Sequence, residues 1–196
     1  MVDLTKIKIE SLKDYDGVLS EEEFMKLATD VYMITDFICE DYPAHREWYF
    51  NKTLPATRTS DTRNILFIRN PENKDEIIAM ACLKREPEEK KICTILIVEE
   101  FRRQGINSLL TRKAMEWLGT TKPMITMADY KRDMFDKMIT DYDWELTEVI
   151  RGKYNDKYEE LCFNGTLTDN NPPRKYLGLK LANTLSKIIE QKDFKK

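Results

Sequence analysis

The chain has 196 residues, 41% hydrophobic and 34% charged, with a formal net charge of −3 at pH 7. That bounds it to one well-filled α/β domain with an appendage under a heavily charged surface, and gives no electrostatic basis for binding nucleic acid or an anionic membrane. No apolar run is long enough to span a bilayer, and the opening Val-Asp-Leu-Thr-Lys-Ile-Lys after Met1 is no signal-peptide core, so a cytoplasmic protein is expected.

Residues 6–11 alternate charge with isoleucine and predict a first, half-exposed strand. Ser20, followed three positions later by Glu23, predicts a helix start by a capping box. The helix behind it puts Phe24, Leu27, Val31, Ile34 and Ile38 on one face until Pro43 interrupts. A short aromatic helix over 44–50 and a polar loop over 51–63 come next. Residues 64–69, 76–85 and the run ending at Val98 read as three strands with short connections, hence an antiparallel meander. A helix over 107–118, stopped by Gly119, leads to a short strand over 124–127, parallel to the strand that precedes the helix. A helix over 129–142 with Met134, Met138 and Ile139 inward precedes a closing hairpin of 145–150 and 158–163. The domain is expected to occupy 1–165. A linker and an amphipathic helix over 177–192 fill 166–196, packing on the domain, with a homodimer or partner contact as the alternative.

The chemistry-bearing stretch is the strand Ile92-Cys93-Thr94-Ile95-Leu96-Ile97-Val98, which runs into Arg102-Arg103-Gln104-Gly105-Ile106-Asn107 and then a helix opened by Asn107 or Ser108. A strand ending at a helix N-terminus collects unpaired N–H groups at the positive end of the helix dipole, where a pyrophosphate is stabilised. Gly105 lets the backbone approach a ligand, and two arginines add positive charge. Cys39, Cys82, Cys93 and Cys162 are scattered and lack metal-ligand spacing, so four buried free thiols and no metal are expected. His45 is the only histidine.

In these residues the sequence resembles the GCN5-related N-acetyltransferases, the GNAT superfamily, whose fingerprint is Gln/Arg-x-x-Gly-x-Gly/Ala after an apolar strand. Here Leu96-Ile97-Val98, Arg102 to Asn107 and Leu109-Leu110 carry the match, with Asn107 standing where Gly or Ala is usual. The resemblance implies an α/β GNAT fold, a mixed and mostly antiparallel twisted sheet flanked by helices, and acetyl-CoA as donor of an acetyl group to a primary amine. It implies that the backbone around Leu96, Ile97 and Val98 pairs with pantetheine, and that Arg103 to Asn107, with Arg102 and Ser108 alongside, hold the pyrophosphate.

The same resemblance directs the search for acid–base groups. Glu89 lies four residues before Cys93, the offset of a base in the histone-acetylating branch; its alternative reading is a solvated turn acid beside Glu88. The family's tyrosine acid stands four residues before Gly-Phe, but here Asp143-Trp144 takes that place and Ile139 and Phe135 carry no proton. Tyr130 is the preferred substitute and Tyr142 the second, either being a packing tyrosine in the alternative. Cys93 in an apolar strand is rejected as a nucleophile. On the acceptor side, Asp36, Glu40, Asp41 and Glu47 among aromatics suit a cationic amine, or form a plain solvated helix face. An acyl-CoA-binding regulatory domain without turnover, or a protein-interaction module using the 177–192 helix, are the rival readings.

Overall fold

The computed structural model describes residues 2–167. The linker over 168–173 and the 177–192 helix lie outside the described residues. Seven strands form one sheet: β1 (Ile9–Ser11), β2 (Arg63–Asn70), β3 (Asn73–Glu86), β4 (Glu89–Ile97), β5 (Met124–Ala128), β6 (Leu146–Arg151) and β7 (Glu159–Phe163). Their spatial order is β1-β2-β3-β4-β5-β7-β6, antiparallel everywhere except between β4 and β5. The predicted meander is β2–β3–β4. In the closing hairpin β7, not β6, lies against β5.

Alternation along the strands gives the sheet two apolar faces, each with its own helices. On one face Leu66, Ile68, Ala81, Leu83 and Ile92 meet α4 (Ile106–Leu118) through Ile106, Leu110, Ala114 and Leu118, and α5 (Asp136–Asp141) through Met138. On the other, Ile65, Phe67, Met80 and Cys82 pack beneath α1 (Glu21–Met33), with Tyr49 and Leu54 beside its Phe24, Leu27 and Val31. The α1 start is the expected capping box: Ser20 accepts from the Glu23 N–H while Glu23 accepts from the Ser20 N–H at 3.0 Å.

The differences from the sequence reading lie mainly at helix ends. β1 is only three residues long. α1 stops at Met33, ten residues before Pro43, because Thr35 folds back to bond the Tyr32 carbonyl through both its N–H and its hydroxyl. The stretch read as a loop over 51–63 begins as helix. After α2 (His45–Trp48), a π-turn over Tyr49–Thr53 leads into α3 (Leu54–Thr59), since Pro55 sits in the first turn, where its missing N–H is not needed. Residues 129–134 form a 3-10 turn rather than α-helix, which leaves Met134 exposed instead of inward. Of the four cysteines, Cys82 and Cys162 are buried and Cys39 and Cys93 only partly so. Among the described residues no helix is long and apolar enough to cross a membrane, and no cluster of His, Cys, Asp and Glu is placed to hold a metal ion.

Candidate active site

The site starts from the way β4 and β5 meet. Their parallel pairing covers only Lys91 with Met124 and Ile92 with Ile125; beyond Ile92 the strands part. On its other side β4 stays paired to β3 as far as Ile97. The β5-facing edge of β4 from Cys93 onward is therefore open. Cys93 is also a bulge: Cys82 faces Thr94 and Leu83 faces Ile92, leaving Cys93 unmatched.

Which backbone groups line that edge follows from hydrogen-bond parity. The Val98 N–H donates to the Ile78 carbonyl at 2.9 Å, so Val98, and Leu96 in step with it, turn toward β3. Ile95 and Ile97 present their groups to the opening. The Arg102 side chain confirms this, since its Nε donates to the Ile97 carbonyl at 3.0 Å across that edge. Of the expected Leu96, Ile97 and Val98, only Ile97 thus turns its backbone groups to the opening, and Ile95 joins it.

The turn beyond β4 makes an anion cradle. Arg103 and Gly105 both have left-handed backbones, with φ of 60° and 85°. Gly105, not Asn107 or Ser108, caps α4, and the first intrahelical bond runs from the Leu109 N–H to the Gly105 carbonyl at 3.2 Å. The N–H groups of Gly105, Ile106, Asn107 and Ser108 have no acceptor within the helix and gather at its positive end. Their side chains have other work. Gln104 accepts from the Val2 N–H at 2.7 Å and donates to the Glu100 carbonyl at 3.0 Å. Ile106 is buried in the core, and Asn107 turns its amide to the Met138 sulfur at 3.5 Å, clear of the helix mouth. The cradle offers an anion backbone donors and the nearby Arg103 charge.

On the α1 face, beside the bulge, lies a carboxylate that sequence reasoning missed. Glu160 of β7 pairs with Ala128 at the end of β5 and is only 4% exposed. Tyr42 donates to it at 3.2 Å, and the Tyr42 ring packs edge-on against Tyr154 with centroids 5.2 Å apart. Burial pushes the Glu160 carboxyl above its ordinary value of 4.5; hydrogen bonds from Thr126 and Tyr42 and the charges of Lys91 and Lys131 pull the other way. Burial and the Glu160 charge push Tyr154 up to about 12, and raise Tyr42 further. No spacing rule links Tyr42, Tyr154 and Glu160; the one available signal was the second of two acids, next to the apolar Leu161-Cys162-Phe163 of the last strand.

The expected acid–base residues are placed differently. Tyr130 sits on the rim, half exposed, donating to Asp41 at 2.6 Å and packed on Tyr158 at 4.6 Å. Burial and its bond to Asp41 raise its pKa. Lys131 binds the same Asp41, and Asn155 donates to the Glu40 carbonyl at 3.2 Å, so the segment 40–42 is tied across the site to the β5 end and to the β6–β7 turn. Glu89 shares the α1 face, where it is held in an ion pair by Lys84. Tyr142 is a correction: it ends α5 on the opposite face of the sheet, stacked on Trp144 at 5.9 Å, because α5 carries the chain away from the opening. Among the acids read as acceptor-binding, Asp36 accepts from Tyr32 at 2.7 Å and Asp41 is latched as above.

The sequence matches the Acetyltransferase (GNAT) family over residues 22–127. Among solved structures the fold is similar to that of NAA60 from Arabidopsis thaliana in complex with a bisubstrate analogue (TM-score 0.55, 10% identity, 80% of this chain and 95% of that one). It is also similar to the ribosomal-protein-S18-alanine N-acetyltransferase from Escherichia coli (TM-score 0.54, 11% identity, 85% and 99%). Against nourseothricin acetyltransferase it spans less than two thirds of that protein (52% of this chain and 64% of that one, TM-score 0.47, 11% identity). No curated protein sequence matches significantly. The family match spans more than half of the chain, and the parted parallel strands and glycine turn agree with it: the chain belongs to the GNAT acetyltransferase family.

Proposed function

We propose that this protein transfers the acetyl group of acetyl-CoA directly to a primary amine, with Glu160 as the general base. The observation that carries the reading is the position of Glu160: a buried carboxylate with a raised pKa, beside the point where β4 and β5 part. The donor supplies an acetyl thioester. The backbone of Ile95 and Ile97 would align its arm, the N–H groups from Arg103 to Ser108 would bind its pyrophosphate, and the acyl end would lie toward the bulge at Cys93.

The chain's own groups then manage one proton. An amine is nucleophilic only when neutral, and a carboxylate with a raised affinity for protons removes its proton more effectively than an ordinary one. Tyr42 holds Glu160 in place, and segment 40–42 is itself fixed by Tyr130 and Lys131 through Asp41. Tyr130 is a rim residue in this scheme, with its proton committed to Asp41, and Glu89 stays with Lys84. The leaving thiolate needs little acid help.

Calorimetry with coenzyme A, followed by thioester consumption over a panel of amines, tests the reading. Coenzyme binding with turnover of one amine supports it. Binding without turnover of any amine assigns the protein to the regulatory class, and no binding removes the coenzyme reading.

A further inference from the structure

On the face of the sheet that carries Glu160, three cations stand side by side on neighbouring strands. Arg63 of β2 pairs with Lys84 of β3, and Lys84 pairs with Lys91 of β4. All three point to the α1 side, in step with Ile65 and Cys82 of that core. Like charges placed directly opposite one another repel, and they do so more strongly out of water. Lys84 is neutralised by Glu86 at 3.0 Å and by Glu89. The outer two are not. Arg63 is 5% exposed and Lys91 7%, and neither side chain makes an ion pair or hydrogen bond to another described residue. Such a row is costly to bury without an anion to answer it.

The row lies within the site. Lys91 precedes the Cys93 bulge by two residues; its charge and that of Arg63 both act on the Cys93 thiol, and Lys91 acts on Glu160. In the helical layer over the same face, the Thr53 hydroxyl is fully buried with no hydrogen-bond partner. Glu160 thus offers a carboxylate to an amine, and on the same face of the sheet Arg63 and Lys91 stand without an ion pair of their own.

We propose that the amine acceptor also carries an anionic group, a carboxylate or a phosphate, which Arg63 and Lys91 bind while Glu160 takes the amine. This rests on the acetyl-transfer reading for the amine half alone. The acceptor is then a small zwitterion, such as an amino acid or an aminoalkyl phosphate, rather than a polyamine or a lysine side chain in a basic peptide. Hydrogen bonds to charged groups contribute enough to set a preference of about 10–100-fold over the uncharged analogue.

Two measurements test this. The first needs no acetyl donor: thermal unfolding of the wild type, Arg63→Met, Lys91→Met and, as a control at the α4 turn, Ser108→Glu, with N-acetylglycine or inorganic phosphate against chloride at equal ionic strength. Expected is a rise in Tm in the wild type and Ser108→Glu that is lost in Arg63→Met and Lys91→Met. Equal rises in all four, or none in the wild type, overturn the proposal. The second compares kcat/KM for glycine with glycinamide and for phosphoethanolamine with ethanolamine, in the wild type and in Arg63→Met. Taking the ratio between proteins cancels the different basicities of the amines, and the pair that responds identifies carboxylate or phosphate. Expected is a preference that collapses in Arg63→Met and is partly rescued in Arg63→Lys. An unchanged preference overturns the proposal while leaving acetyl transfer standing. A Tm response with no amine acetylated keeps the anion site and removes the transferase reading.

Discussion

Replacing Glu160 by Gln preserves its shape and removes both its charge and its capacity to take a proton. Loss of a positioned general base costs about 10²–10⁴ in rate. kcat for any accepted amine should fall by that factor, while the KM for acetyl-CoA, set by the β4 edge and the α4 turn, stays within about twofold. Stability should move the opposite way. The folded-state pKa of Glu160 lies above its ordinary 4.5, so the folded chain binds the proton more tightly than the unfolded chain. The contribution is fully present below 4.5 and is lost as pH rises through the folded-state pKa. Each tenfold difference in proton affinity corresponds to about 1.4 kcal/mol. Glu160→Gln is permanently neutral and escapes this loss, so it should be at least as stable as the wild type at pH 7 and lose that advantage below 4.5. The assays are thioester consumption from pH 5 to 9, and urea unfolding at pH 4 and pH 7. A variant that keeps kcat within threefold and retains the acidic limb of the wild-type profile would show that Glu160 is no base. A variant less stable at pH 7 than the wild type would show that its charge supports the fold.

Tyr42→Phe removes a hydrogen bond that favours the ionised carboxylate, so the acidic limb of the pH–rate profile should move to higher pH, with kcat at pH 6 falling more than kcat at pH 8. Ser108→Glu puts a negative charge in the first turn of α4, where it favours the helix by about 0.3–1 kcal/mol. The same charge, roughly 6 Å from a bound pyrophosphate, opposes binding by about 1–3 kcal/mol, so calorimetry should show coenzyme A bound some 5- to 150-fold more weakly by a protein no less stable. It is a cleaner probe than Gly105→Glu, because a Cβ at Gly105 would meet Leu4 at 3.1 Å on a backbone with φ of 85°. Leu110→Ala, wholly buried between α4 and the sheet, should cost about 3 kcal/mol in urea unfolding.

The order of elements was legible because each rests on local chemistry. Ser20 and Glu23 specify a helix start, Gly119 a helix end, and the alternation in β2 and β3 two buried faces. The glycine turn was legible for the same reason, since a left-handed Gly105 before an amphipathic helix gathers N–H groups whatever surrounds it. Misreadings arose where local preference was overruled. Pro55 looked like a loop residue but fits a first helical turn, and Tyr142 looked available but is carried to the far face by α5.

Sequence by itself therefore determined the sheet, the cradle and the family, because periodicity, caps and turns act within a few residues of one another. Only tertiary structure brings together the groups proposed for acid–base work and for the acceptor. Tyr42 and Glu160 are 118 residues apart, and Arg63, Lys84 and Lys91 come from three strands. What these residues do depends on burial and on neighbouring charge, and both exist only once the sheet has brought them to one face.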